Sequence, residues 1–235
     1  WHISVPVIIE GLVTAFSQLD QVYVADGHHR SKASALVGKK KRVSNPSHNG
    51  MEEYNWFMAV FFPSHQLKII DYNRLIKDLN GMHPPVFISR IETLCRVEKK
   101  CCLHAAKPRK QHQIAMYLDH NWYLIRFKDT LLENGDPVEK MDSDMLTKHI
   151  LSPLLGIEDL RKDKRIDFVG GNRGLEELQR RVDSGEMAVA FGLYPITINQ
   201  LMKIADSNAL MPPKTTWFEP KLLSGLVIHS LEDKQ

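Results

Sequence analysis

Two short runs, Ile114 to Leu118 and Trp122 to Phe127, flank Asp119-His120-Asn121. Both runs favour extended backbone and the three residues between them favour a turn, so the segment reads as a β-hairpin. A hairpin commits the chain to at least one antiparallel strand pair. Downstream, Asp142-Ser143-Asp144 reads as the cap of a helix that carries Met145, Leu146, His149, Ile150 and Leu151 and stops near Pro153. Strand-like Arg165 to Val169 then leads into helix-like Leu175 to Val182, and strand-like Met187 to Leu193 into helix-like Ile198 to Ala205. Repeated strand-to-helix steps indicate an α/β fold with an α+β mixed sheet.

Upstream of the hairpin, Pro6 can open a helix whose apolar residues from Val7 to Leu19 lie near a 3.6-residue period. Gln21 to Ala25 reads as a short buried strand running into Asp26-Gly27-His28-His29-Arg30 and a following helix. The apolar run Trp56 to Phe62 and the segment Leu67 to Ile70 are expected to pair as strands. Asp71 to Leu79 and Val86 to Cys95 are expected as helices, and Val97 to Leu103 as a strand. The pattern changes after the hairpin, giving two expected parts, residues 1–130 and 131–235.

At 235 residues the chain is long enough for one large domain or two small ones. Hydrophobic residues at 43% and charged residues at 25% match an ordinary globular mix, which excludes disordered and fibrous classes. A formal charge of +3 without a basic stripe argues against nucleic acid as a partner, and the run Lys39-Lys40-Lys41-Arg42 reads as a solvated helix end. Cys95, Cys101 and Cys102 have neither a disulfide framework nor zinc-ligand spacing, so a reducing cytoplasm is the expected home. No apolar stretch approaches the ~20 residues of a membrane span, so no membrane partner is expected. The sequence begins at Trp1 rather than Met, which suggests a piece of a longer protein.

Three segments are candidates for chemistry. In Asp26-Gly27-His28-His29-Arg30, Asp26 can cap the helix through the amides of His28 or His29, and Gly27 allows a sharp turn and close approach of a ligand. Amides at such a helix start can hold an anion, with Arg30 adding a charge-assisted bond. Adjacent His28 and His29 project about 100° apart on a helix and so are not expected to clasp one metal. The bland alternative is a capped helix with satisfied histidines. In Val169-Gly170-Gly171-Asn172-Arg173-Gly174, three glycines before a helix can cradle phosphate or simply form a turn. In the third segment, Met211 to Lys221, three prolines stiffen a loop presenting Lys214, Thr215, Thr216, Glu219 and Lys221, suited equally to a ligand or to a surface connection. His83, His104, His112 and His229 have no ligand spacing. Gly-x-Ser-x-Gly, His-Glu-x-x-His and Walker patterns are absent, which removes most hydrolase-triad and zinc-peptidase readings.

The sequence resembles family 1015 of domains of unknown function. The resemblance rests on Val24 to Arg30, Leu151 to Ile157, Ile166 to Gly171, Val182 to Gly185 and Met211 to Leu226, which are ordered and spread over nearly all of the chain. The Asp-Gly-x-His-Arg element is similar to the phosphate-binding turn of the ParB/sulfiredoxin superfamily, which includes an archaeal ADP-dependent free serine kinase. The resemblance implies an incomplete ParB/sulfiredoxin-like unit packed on an α/β C-terminal region. It implies a nucleotide-binding phosphotransferase that uses ADP or ATP with Mg²⁺ and a small hydroxylated substrate such as serine. By the same resemblance, Gly27 and His28 hold phosphate through their amides, and His28 or His29 with Arg30 steady the transferred group. Asp26 shapes the turn or helps to place Mg²⁺. Catalytic candidates are therefore His28, His29 and Asp26, and phosphate-binding candidates Gly27, His28, Arg30, Lys214 and Gly171. No metal ligand is assigned. The acidic catalytic residue of related enzymes lies upstream of the turn, where this chain has 25 residues, so it maps to no position here. The rival reading is a non-catalytic nucleotide-sensing module.

Overall fold

The computed structural model describes residues 2–133, 136, 138–209, 211, 214–223 and 225–232. The chain divides into two compact units, Trp1–Phe61 with Leu223–Gln235, and Phe62–Leu222. The boundary expected at residue 130 falls inside the second unit.

The first unit is built on helices α1 (Pro6–Ser17) and α2 (His28–Ser44) with one 3-10 turn, Glu53–Asn55. Pro6 starts α1 as expected, because its missing N–H is one that a first helical turn leaves unbonded anyway. Near the middle of α2, Gly38 lies so close to the Tyr54 carbonyl that a Cβ would approach it to 2.7 Å. This contact docks the helix on the 3-10 turn. The turn is held by Glu52, whose carboxylate accepts from the amides of Asn49 (2.7 Å) and Gly50 (3.0 Å) and from Asn55 Nδ2 (2.9 Å). Burial opposes ionisation there, yet these bonds hold the Glu52 carboxyl down to about 2. The basic run of α2 is tied at its end, where Arg42 Nε donates to Asn55 Oδ1 at 2.7 Å and Lys41 Nζ to the Leu231 carbonyl at 3.2 Å.

Two expectations fail in this unit. Gln21 to Ala25 and Trp56 to Phe62 both lack strand structure. Their composition favours extended backbone, but a strand exists only when a neighbour accepts its ladder bonds. Every strand among the described residues lies in the second unit, and Trp56 and Phe57 remain more than half exposed.

The second unit contains β1 (Lys68–Ile70), β2 (Tyr72–Ile76), α3 (Pro84–Leu94), β3 (Cys95–Lys100), α4 (Leu103–Ala106), β4 (Ile114–Leu118) and β5 (Asn121–Phe127). After these come α5 (Asp142–Leu146), β6 (Ile166–Gly170), α6 (Glu176–Asp183), β7 (Val189–Gly192), α7 (Ile198–Asp206) and β8 (Trp217–Glu219). Six strands form an antiparallel sheet in the order β3-β5-β4-β7-β2-β6, and β1 pairs antiparallel with β8. The hairpin is as expected: Leu118 pairs with Asn121, and Asp119 and His120 both take positive φ, as a tight two-residue loop requires. The mixed α/β class is confirmed, with antiparallel strands throughout.

Strand alternation sends two sets of side chains to opposite faces. One face carries Ile76, Ile114, Met116, Leu118 and Phe191, packed against Phe87 and Ile91 of α3 and Met145 and Leu146 of α5. The other carries Leu75, Ala115, Tyr117 and Ala190 against Ala106 of α4 and Leu178 and Val182 of α6. The sheet is therefore covered on both sides.

This double covering explains a third correction. Asp71 to Leu79 is not a helix; β2 lies between β6 and β7, in register Arg74↔Phe168 and Arg74↔Phe191. A strand buried on both faces loses the apolar–polar alternation that marks it, and Leu75 with Leu79 mimics helical spacing. The expected pairing of Leu67 to Ile70 with Trp56 to Phe62 is likewise replaced by the ladder to β8, where Ile69 faces Phe218. Asp142 is not the cap of α5 but its first residue, following Met141, and the helix widens to a π turn at Thr147–Leu151. In contrast, α7 has a complete capping box between Thr197 and Gln200.

Candidate functional site

The turn at residues 26–30 belongs to the first unit. Gly27 is the N-cap of α2 and takes φ +81°, a left-handed conformation that costs a side-chain-bearing residue roughly 1 kcal/mol. Its amide donates to Asp26 Oδ1 at 2.8 Å, so Asp26 bonds the turn residue itself. The first intrahelical bond runs from the Ser31 amide to the Gly27 carbonyl at 2.9 Å. The amides of His28, His29 and Arg30 are therefore the first-turn donors that an α-helix leaves without intrahelical acceptors. The Arg30 side chain folds back over the turn. A Cβ on Gly27 would meet Arg30 Nη2 at 3.1 Å and Nε at 3.3 Å. Arg30 has no ion-pair partner among the described residues, and its guanidinium stands beside the positive end of the helix. The result is a small exposed element in which backbone donors and a cation converge.

The rings of His28 and His29 pair with each other, centroids 4.2 Å apart at 46°, and both residues are exposed. Among the described residues neither has a carboxylate in ion-pair range. Asp26 Oδ1 already receives the Gly27 amide. Among the described residues no group of three or more His, Cys, Asp or Glu side chains could hold a metal ion. A Mg²⁺ at this turn would thus meet one protein carboxylate and depend on ligand phosphates for the rest.

The other two phosphate-binding candidates lie in the second unit and converge on Asp71 and Tyr72. Gly171 presses against Asp71: its amide donates to the Asp71 carbonyl at 2.8 Å, and a Cβ would meet Asp71 Oδ1 at 2.4 Å. Gly170 similarly makes room for the Trp217 ring. Close packing thus accounts for both glycines. Lys214 takes φ +55° and sets its Nζ 5.4 Å from the Tyr72 ring centroid, while Tyr72 and Trp217 pair at 5.5 Å and Lys221 stands over Trp217.

Beside this aromatic pair lies a cavity of about 10 Å³ lined in part by Asp71, Tyr72, Gln111, Asp142, Ser143 and Thr215. It is of water size, well short of the ~300 Å³ at which ligand pockets begin. Its electrostatics are unusual. Burial pushes the Asp71 carboxyl up, against the pull of Arg74 and Lys107, and burial raises Asp142 against bonds from His112. The His112 amide donates to both Asp142 oxygens at 2.9 and 3.1 Å, while His112 Nδ1 lies 3.2 Å from Oδ1 without hydrogen-bond alignment. Ser143 Oγ is buried without a partner among the described residues.

Arg74 is fully buried on β2, and burial brings its guanidinium down to about 10. It donates from Nη1 to the Tyr72 carbonyl and packs its guanidinium carbon 5.4 Å from the Phe168 ring centroid. Its Nε and Nη2 have no hydrogen-bond partner among the described residues. Sequence reasoning missed Asp71, Arg74, Asp142 and Ser143. A polar Asp-Tyr-Asn-Arg stretch entering an apolar run was the available signal.

A family profile described as "Protein of unknown function (DUF1015)" matches residues 1–144. The chain belongs to this family. The matched part includes the turn at 26–30 as well as Asp71 and Asp142, whereas Gly171 and Lys214 of this DUF1015 chain lie beyond it. No curated protein matches the chain. Among solved structures, the DUF1015 chain is similar to free serine kinase in complex with AMP, with 15% identity, 91% of this chain and 78% of that chain covered, and a TM-score of 0.44. A variant of free serine kinase in complex with ADP matches at 14% identity over 92% of this chain and 81% of that one, TM-score 0.43. A conserved hypothetical protein from Pyrococcus furiosus matches at 15% identity over 86% and 71%, TM-score 0.43. Among the described residues no helix is long and apolar enough to cross a membrane.

Proposed function

We propose that this chain binds the phosphates of a nucleotide at Asp26–Arg30 and serves phosphoryl transfer to a small hydroxylated metabolite. The observation that carries the reading is the Arg30 guanidinium folded over a left-handed Gly27 at the start of α2. A helix start contributes roughly 0.3–1 kcal/mol to an anion and a charged hydrogen bond about 1.5–3, which together support millimolar binding. Further contacts to base or sugar must supply the rest. Phosphoryl transfer depends chiefly on positioning and charge neutralisation, and backbone amides with an arginine provide both. His28 and His29 are the groups placed to steady the transferred phosphoryl, with Asp26 holding the turn in shape.

Free serine is the first acceptor to try and ADP with Mg²⁺ the first nucleotide, with ATP and other hydroxylated metabolites after them. Phosphorus NMR of the protein with these reactants is expected to show a new phosphomonoester, lost in the Arg30→Ala variant. Absence of turnover across the acceptors, with nucleotide binding intact, would overturn the transferase reading. It would favour the second one, a non-catalytic nucleotide-sensing module. That alternative is supported by the His28–His29 pair, whose rings contact each other and have no ion-paired carboxylate among the described residues to activate them.

A further inference from the structure

The three cysteines of the chain have different environments. Cys95 is buried at the start of β3, where burial pushes its thiol up to about 12. Cys101 and Cys102 are exposed in the connection from β3 to α4, and the Cys101 thiol donates to Cys102 Sγ at a separation of 3.6 Å. The Ala105 amide, the Cys101 S–H and the His104 amide lower the Cys102 thiol, which raises the thiolate fraction of the more reactive sulfur.

The separation discriminates between partners. A disulfide needs sulfurs about 2.05 Å apart on Cα atoms roughly 4.4–6.8 Å apart, whereas adjacent residues on a trans peptide have Cα atoms only about 3.8 Å apart. A direct bond between these neighbours is therefore strained. Two thiolates bound at about 2.3 Å to one three-coordinate pyramidal centre, with an angle of about 100° between the bonds, lie about 3.5 Å apart, close to the separation found here. Among the described residues no third His, Cys, Asp or Glu joins them, so a metal that needs three or four protein ligands is not provided for. A centre that takes two sulfurs and keeps its third substituent is.

We propose that Cys101 and Cys102 form a vicinal dithiol that clasps a trivalent arsenical through both sulfurs. With a monosubstituted arsenical the step is a condensation without redox change. Each thiol loses its proton and forms an S–As bond, the As=O bond breaks, and the oxygen leaves as water carrying both protons.

The test is intact-mass analysis of the reduced chain after phenylarsine oxide, with and without competing thiols. One phenylarsine adduct per chain is expected, lost in Cys101→Ser and equally in Cys102→Ser. Excess 1,2-ethanedithiol should remove it, and an equal concentration of thiol as 2-mercaptoethanol should leave it in place. Both sulfurs are exposed, so neither serine disturbs the core. No adduct, an adduct that survives in either single variant, or one that the monothiol removes would overturn the proposal.

Discussion

The two units of this chain keep their shape by different means. In the second, the six-stranded sheet is covered on both faces, and residues such as Phe87, Met116 and Phe191 are wholly removed from water. In the first, Tyr54 is the one buried apolar side chain among the described residues, and α1 has no buried residue. What fixes the first unit locally is polar: the Glu52 carboxylate on its amides, and Gly38 against the Tyr54 carbonyl. The lesson is a division of labour. Burial makes an incompletely bonded guanidinium costly in the second unit, a cost the apolar core offsets, and it raises the carboxyls of Asp71 and Asp142, while the first unit offers exposed donors at low cost because they are already solvated.

The largest expected effect tests the burial side of that contrast. Phe87→Ala should cost about 3–5 kcal/mol in urea unfolding, as a fully buried aromatic leaves a cavity that its neighbours close only partly. Val13→Ala on α1, where the side chain is 64% exposed, should stay within about 0.5 kcal/mol. Equal losses would mean that the two units do not differ in the way described. Gly171→Ala is expected next, at about 1–3 kcal/mol, because the new methyl meets Asp71 Oδ1 at 2.4 Å and Ile70 Cγ2 at 2.7 Å. A neutral result would show that the Asp71 cluster can shift and is not close-packed.

A smaller effect sharpens the electrostatic side. The Asp71 carboxyl is raised in the folded state, chiefly by burial, so folding takes up a proton there. Its contribution to stability is most favourable below the ordinary aspartate value of 3.8 and falls as pH rises through the folded value. Other carboxylates, Glu52 and Asp167 among them, are lowered and slope the opposite way. The difference between Asp71→Asn and the parent chain is therefore the quantity to follow. The asparagine variant should gain on the parent as pH rises through that window, measured by denaturant midpoints from pH 4 to 7. A flat difference would mean that Asp71 keeps an ordinary carboxyl.

What the sequence disclosed follows the same division. The hairpin at 114–127 was legible because its determinants are local: β-forming runs and two residues able to take positive φ. The helices α3, α6 and α7 were legible for similar reasons. β2 was not, since a strand between two others, covered on both faces, carries no alternation to read. Gln21 to Ala25 and Trp56 to Phe62 misled in the opposite way, because propensity cannot supply a partner strand. The turn at 26–30 was found as a motif, and the folding of Arg30 over Gly27 adds what the motif alone did not contain. The cluster around Asp71, Arg74, Asp142 and Ser143 was invisible because it joins Asp71, just before β2, and Arg74 of β2 to residues of α5 about 70 positions away in the chain.

The central claim, that the turn at residues 26–30 is an anion site, is tested most directly by calorimetric titration of ADP and pyrophosphate, each with Mg²⁺. The parent chain and Arg30→Ala should be compared. The account predicts binding by the parent that Arg30→Ala weakens by about ten- to a hundredfold, the equivalent of one charged hydrogen bond. Equal affinity in the two proteins, or no binding by the parent, would contradict it.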